Sequence, residues 1–251
     1  MNIQNKKVSY FDSTSHNQTA KIYYVIFNDF DDLTITINNE LVDIVHADLC
    51  YDLAYTKKEI YELISEKSQK QKYGLVAEFF SHLVLRNLGY NQRCLYKNLE
   101  ESSMKKGFDG LYTHCGEFWL VESKAAYTNV THSDKIDEAI SDLKTKVETK
   151  QKNNPWLNAV NHIYAIKSKK QNIKLQDQIK KLSIEYIKGI KHSISEFNII
   201  PVSTLFIKNP QSLNKIVEDI KNLINGKTYK NIIVICIDNY IFEEFITYLR
   251  K

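Results

Sequence analysis

Two uninterrupted apolar runs, PVSTLFI at 201–207 and NIIVICI at 231–237, constrain the fold more than any other feature of the chain. Neither alternates apolar with polar residues, so each predicts an interior strand covered on both faces. A helical pattern from Pro210 to Leu223, closed near Gly226, separates them, and a second one, IFEEFITYL, follows. This order predicts an α/β fold, a mixed central sheet flanked by helices. At 251 residues, with 43% hydrophobic and 25% charged residues, the chain has the composition of one main globular domain.

Further helices follow from apolar spacing. KKEIYELISEK at 57–67 and KYGLVAEFFSHLVLRNLGY at 72–90 carry the helical period, the second through Leu75, Val76, Phe79, Phe80, Leu83 and Leu88, with Gly89 as its stop. Asp134 to Gln151 continues it through Ile136, Ile140, Leu143 and Val147, with Ser133 or Asp134 as the cap. Asn154–Pro155 starts another helix, and Ile179, Leu182, Tyr186, Ile190 and Ile194 predict one over Leu175–Phe197. A short strand is expected at Arg93–Tyr96. At the N-terminus, KIYYVIF (21–27), LTITI (33–37) and LVDIV (41–45) predict a small antiparallel meander. That meander would form a β-rich appendage over 1–55, with the main domain over 56–251.

Composition narrows the function classes. The four cysteines, Cys50, Cys94, Cys115 and Cys236, are scattered without zinc-ligand spacing, which predicts a reducing, cytoplasmic setting. MNIQNKKVSYFDSTS lacks the apolar core of a signal peptide and no 18-residue apolar run occurs, so neither export nor membrane insertion is expected. The net charge of +4 permits a polyanionic partner without requiring one. Of 34 basic residues only Arg86, Arg93 and Arg250 are arginine, the preferred bidentate reader of guanine. Sequence-specific base recognition is therefore not expected.

The stretch KKGFDGLYTHCGEFWLVESKAA, Lys105–Ala126, reads as a hairpin around a Cys115–Gly116 turn. It places Asp109, Glu122 and Lys124 in otherwise apolar strands, where an unpaired charge is costly. Residues two apart on a strand share a face, so Glu122 and Lys124 point the same way. The paired strand brings Asp109 opposite Glu122. Two converging carboxylates suit Mg²⁺, with Mn²⁺ as an alternative, because a hard divalent ion takes oxygen ligands and keeps waters that phosphate oxygens can replace. A metal there would polarise a phosphodiester and acidify a bound water, while Lys124 would orient that water or stabilise developing charge.

Carboxylate-x-Lys also occurs at Asp142–Lys144, Glu148–Lys150 and Asp219–Lys221, all expected on solvated helix faces. Glu122 is distinguished by the FWLV that precedes it; the plain alternative is a surface ion pair. Glu78 lies in the helical row Leu75, Glu78, His82, Leu85, at the border of the apolar face, where it could serve as a further metal ligand or pair with a neighbouring lysine. Gly107 and Gly110 would allow a positive φ or a close approach. His82, His114, Tyr112 and Tyr127 are candidates for contact with the site or with nucleic acid, each with an ordinary structural alternative.

Glu78 on a helix, Asp109 in GFDG, Glu122-Ser123-Lys124 ending an apolar strand, and the following helix DKIDEAISDL together resemble the PD-(D/E)xK nuclease superfamily. Within it, GFDGLY and GEFWLVESK are similar to the HamA effectors of Hachiman anti-phage defence and the AbpA-type proteins, over about Tyr73–Val147. The resemblance implies a restriction-endonuclease-like core and a metal-dependent DNA nuclease held by a superfamily-2 helicase partner, with no small-molecule cofactor. It assigns metal binding to Asp109 and Glu122, the nucleophile or transition state to Lys124, and the upstream helical carboxylate to Glu78. Phe108 stands where the superfamily has proline. A stand-alone restriction-type or junction-resolving nuclease, and a non-catalytic interaction module on the same fold, are the alternatives.

Overall fold

The structure, a computed structural model, describes residues 9–15, 18–47, 51–97, 107–150, 152–166, 173–207 and 212–251. Its strands are β1 (Ser9–Ser15), β2 (Gln18–Phe27), β3 (Asn91–Gln92), β4 (Gly110–His114), β5 (Glu117–Ala126), β6 (Asn198–Leu205) and β7 (Asn231–Asn239). They form one mixed sheet in the order β1-β2-β7-β6-β5-β4-β3. The four inner strands β2, β7, β6 and β5 run parallel, and β1, β4 and β3 pair antiparallel at the two sides. The two apolar runs are β6 and β7, in the middle of the sheet and buried along nearly their whole length.

Parallel neighbours need crossover connections, and here these are helical. The helices are α1 (Asp31–His46), α2 (Leu53–Ser65), α3 (Gln69–Asn87), α4 (His132–Glu148), α5 (Pro155–Ala165), α6 (Ile173–Ile187), α7 (Leu213–Asn225) and α8 (Phe242–Arg250). Alternate residues of β7 sort the two layers. Ile233, Ile235 and Ile237 pack with α1, α2, α3 and α8, whereas Ile232, Val234 and Cys236 pack with α4 to α7. Burial of both faces, at about 25 cal/mol per Å² of apolar surface, is the main drive for this arrangement.

The N-terminal meander does not form. β2 covers the first of its three runs, but 33–37 and 41–45 both lie in α1. The β-branched residues there suggested strands, yet Leu33, Ile37, Leu41, Ile44 and Val45 fall on one helical face and all are buried. Asp31 and Asp32 occupy its first turn, where negative charge is favoured, and the Asp29 carboxylate accepts from Asp31 N at 3.0 Å. The stretch expected as an appendage thus contributes β2 to the main sheet and α1 to its cover.

Other differences are local. Of the strand expected at Arg93–Tyr96, only a single bond remains, from Arg93 N to the Leu111 carbonyl at 2.7 Å, and β3 ends at Gln92. The helix expected to Phe197 stops at Ile187, because Gly189 (φ +77°) reverses the chain. Ile190 N then donates to the Glu185 carbonyl and Gly189 N to that of Tyr186, at 3.0 and 3.1 Å, a Schellman ending. Gly89 (φ +82°) ends α3 in the same way, as the sequence predicts.

Candidate functional site

The hairpin turn sets the register. Cys115 (φ 49°) and Gly116 (φ 82°) both have positive φ, as the two central residues of a type I′ turn require. Pairing then runs from His114↔Glu117 to Gly110↔Val121, and one further step puts Asp109 opposite Glu122. Gly110 fits closely here, since a Cβ on it would lie 3.1 Å from that of Val121.

On β5, Leu120 packs toward α4 and Val121 toward α3, so Glu122 and Lys124 face α4. Glu122 is only 3% exposed, and both of its oxygens accept from lysines. Lys124 Nζ donates to Oε1 at 3.1 Å, and Lys146 Nζ, from α4, donates to Oε2 at 2.5 Å. Lys124 is also paired with Asp142 of α4. Two periodicities match: residues four apart on a helix rise about 6 Å, and residues two apart on a strand span about 6.6 Å. Asp142 and Lys146 therefore stand over Lys124 and Glu122 in turn, along an antiparallel helix.

Asp109, half-buried, accepts from Ser123 N at 2.8 Å through Oδ2, and its charge reaches both Glu122 and Lys124. Burial and then Asp109 push the Glu122 carboxyl up to about 7, against the downward pull of Lys146 and Lys124. Burial opposes the charge on Lys124, but Glu122, Asp142 and Asp109 outweigh it and hold the ammonium firmly protonated. When all are ionised, three carboxylates meet two ammoniums.

Glu78 is placed differently. It projects from α3, on the opposite face, and lines a small cavity with Ser81, His82 and Ser123 that Asp109, just before β4 begins, also borders. Ser81 and Ser123 hydroxyls meet across that face at 3.1 Å. Glu78 therefore neighbours Asp109 without joining Glu122, and the expected set of three carboxylates on one ion is not assembled. Among the described residues no three His, Cys, Asp or Glu side chains gather as a metal site. Mg²⁺ needs only one or two carboxylates, with waters and phosphate oxygens completing its shell, and Asp109 with Glu122 fits that demand. His82 is hydrogen-bonded to buried Tyr112 beside this cavity. His114 is far from it, at the hairpin turn, stacked on Tyr90 at 4.3 Å between ring centres. Tyr127 is exposed and stacks on Tyr73. Gly107 allows a close approach, since a Cβ there would lie 2.7 Å from Asn158 Oδ1.

Sequence reading missed Lys146 and Asp142. Asp142 was expected on a solvated face; instead it is half-buried against Lys124. Their four-residue spacing is the only signal, and it becomes meaningful once α4 is laid on β5.

A buried polar cluster, also missed, continues this row. Lys124 is in register with Ser203 of β6, whose hydroxyl lies 2.8 Å from His132 Nδ1. His132 Nε2 donates to Asp238 Oδ1 at 3.2 Å, and the Tyr24 hydroxyl donates to Oδ2 at 2.5 Å. Burial and Asp238 raise the Tyr24 phenol well above its ordinary range, so it remains a neutral donor. His132, Ser203 and Asp238 are all buried, so the trio is a structural tie and not an exposed nucleophile. It holds the N-terminal turn of α4 to β6 and β7. Thr131 caps that helix in place of the expected Ser133 or Asp134, in a reciprocal box with Asp134. Compared with models of known protein families and with curated proteins, the chain matches none.

Proposed function

We propose that this chain is a Mg²⁺-dependent deoxyribonuclease that hydrolyses phosphodiester bonds with little sequence specificity. The observation that carries this reading is the buried Glu122, in direct contact with Lys124 and opposite Asp109 across a hairpin of fixed register. A surface ion pair would not need a 3% exposed carboxylate.

Asp109 and Glu122 would hold the metal, which when bound supplies Lewis-acid polarisation of the phosphate and a more acidic water. The Ser123 amide orients the Asp109 carboxylate. Lys124, anchored by Asp142, presents a fixed positive charge at the scissile group, where it stabilises the developing anion or positions the attacking water. Glu78 would act from α3, as a neighbour of Asp109 across the small cavity. With three arginines and a net charge of +4, the chain offers modest backbone grip. A helicase partner that delivers the DNA, in a cytoplasmic anti-phage complex, is the setting that the resemblance to HamA-type effectors favours.

The test is plasmid degradation by the purified protein with Mg²⁺ or EDTA. Asp109→Ala and Glu122→Ala should each lose metal-dependent cleavage while keeping a cooperative thermal transition; cleavage undiminished in either removes the assignment. One observation favours a second reading, a non-catalytic module: both Glu122 oxygens are already satisfied by lysines. That reading predicts that the wild type cleaves nothing and that Lys124→Ala keeps full function.

A further inference from the structure

Lys146 has no role in the reading above, yet it makes the shorter of the two contacts to Glu122. The two lysines differ in how they are held. Lys124 is clamped between Glu122 and Asp142, whereas among the described residues Lys146 has its ion pair with Glu122 alone. Its side chain is 18% exposed, on the flank of α4, so water can take up the ammonium when it leaves. A divalent ion and an ammonium on one carboxylate oxygen compete for its negative charge, and their mutual repulsion is strong where solvent is scarce.

We propose that Lys146 is a resident cation of the site, occupying Glu122 Oε2 in the metal-free protein and vacating it when a divalent ion binds. Released, the ammonium is free to take a substrate phosphate, so metal loading and DNA binding favour one another. The device also solves a folding problem. Without Lys146, buried Glu122 and its neighbour Asp109 would lie together with Lys124 as the one cation contacting Glu122 among the described residues.

This inference rests on Asp109 and Glu122 being the metal ligands, and the experiment separates the two claims. Mn²⁺ is titrated by calorimetry into the DNA-free protein at about pH 8.5, where a carboxyl of pKa near 7 is ionised. Lys146→Met and Lys146→Gln should bind Mn²⁺ about tenfold more tightly than the wild type, and Lys146→Arg should return to the wild-type value. A short phosphorothioate duplex should tighten Mn²⁺ binding to the wild type by a larger factor than it does for Lys146→Met. Equal or weaker Mn²⁺ affinity in both neutral variants overturns the role of Lys146. The metal reading survives that result if Asp109→Asn abolishes the heat of binding. Absence of Mn²⁺ binding in every variant overturns both. Thermal melts of each protein establish that the comparison is between folded chains.

Discussion

Glu122→Gln converts the carboxyl into a neutral group of the same shape, and its effect on stability should depend on pH in a calculable way. In the unfolded chain this carboxyl titrates at its ordinary 4.5; folded, burial and Asp109 push it up to about 7. Between those values the native state binds the proton more tightly than the unfolded state, so wild-type stability falls as pH rises through the window. At 1.36 kcal/mol per pH unit the whole window amounts to about 3 kcal/mol, of which roughly 2–3 kcal/mol lies between about pH 5 and about pH 8. The Gln variant lacks this titration. Its stability relative to wild type should therefore improve by that amount across the range, on top of a constant offset from the lysine contacts it weakens. Urea unfolding of both proteins in EDTA, at half-unit pH steps, measures the difference directly. A difference that stays flat from pH 5 to 8 would show that Glu122 is ionised throughout, and would refute burial and Asp109 as the dominant influences on it.

Three further outcomes follow from the geometry. Asp238→Ala strands the Tyr24 hydroxyl and His132 Nε2 in a buried site and should cost about 3–5 kcal/mol, whereas Tyr24→Phe, which removes one neutral donor, should cost about 1–2 kcal/mol. Equal costs would show that Asp238 is stabilised elsewhere. At the hairpin turn, Cys115→Asn should gain about 0.5 kcal/mol, because asparagine tolerates positive φ better. Gly116→Ala at φ +82° should lose about 1 kcal/mol, and a neutral result in chemical denaturation would exclude the I′ geometry.

Local pattern made the hairpin and the central strands legible. β6 and β7 announce themselves by continuous apolar runs, and the β4–β5 register follows from a Cys-Gly turn whose length admits only one pairing. From this the contact of Lys124 with Glu122, and the nearness of Asp109, could be expected. α1 was misread because Thr, Ile and Val carry strand propensity locally, while the period of its apolar residues, which tertiary burial rewards, is helical. Asp142 and Lys146 look like any charged helix residues; only docking α4 on β5 selects them. Ser203, His132 and Asp238 are separated by 71 and 106 residues, so no local pattern could join them.

That distant cluster bears on the site through α4. The helix is tied at its N-terminal turn by His132 and must deliver Asp142 and Lys146, the latter about 21 Å further along its axis, onto Lys124 and Glu122. Substitutions that far apart ordinarily add. Here the intervening apolar stripe, Ile136, Ala139, Ile140 and Leu143, is buried, so α4 moves as one rigid piece or not at all. Loss of the tie should therefore loosen the lysine contact as well. A double-mutant cycle of His132→Ala with Lys146→Met, read by urea unfolding, should show a coupling above about 0.5 kcal/mol although the two side chains do not touch. His132→Ala alone should also ease Mn²⁺ binding, since a helix free to shift surrenders Glu122 more readily. Strict additivity, with unchanged Mn²⁺ affinity in His132→Ala, would mean that β5 alone sets the site and that the buried cluster serves the fold only.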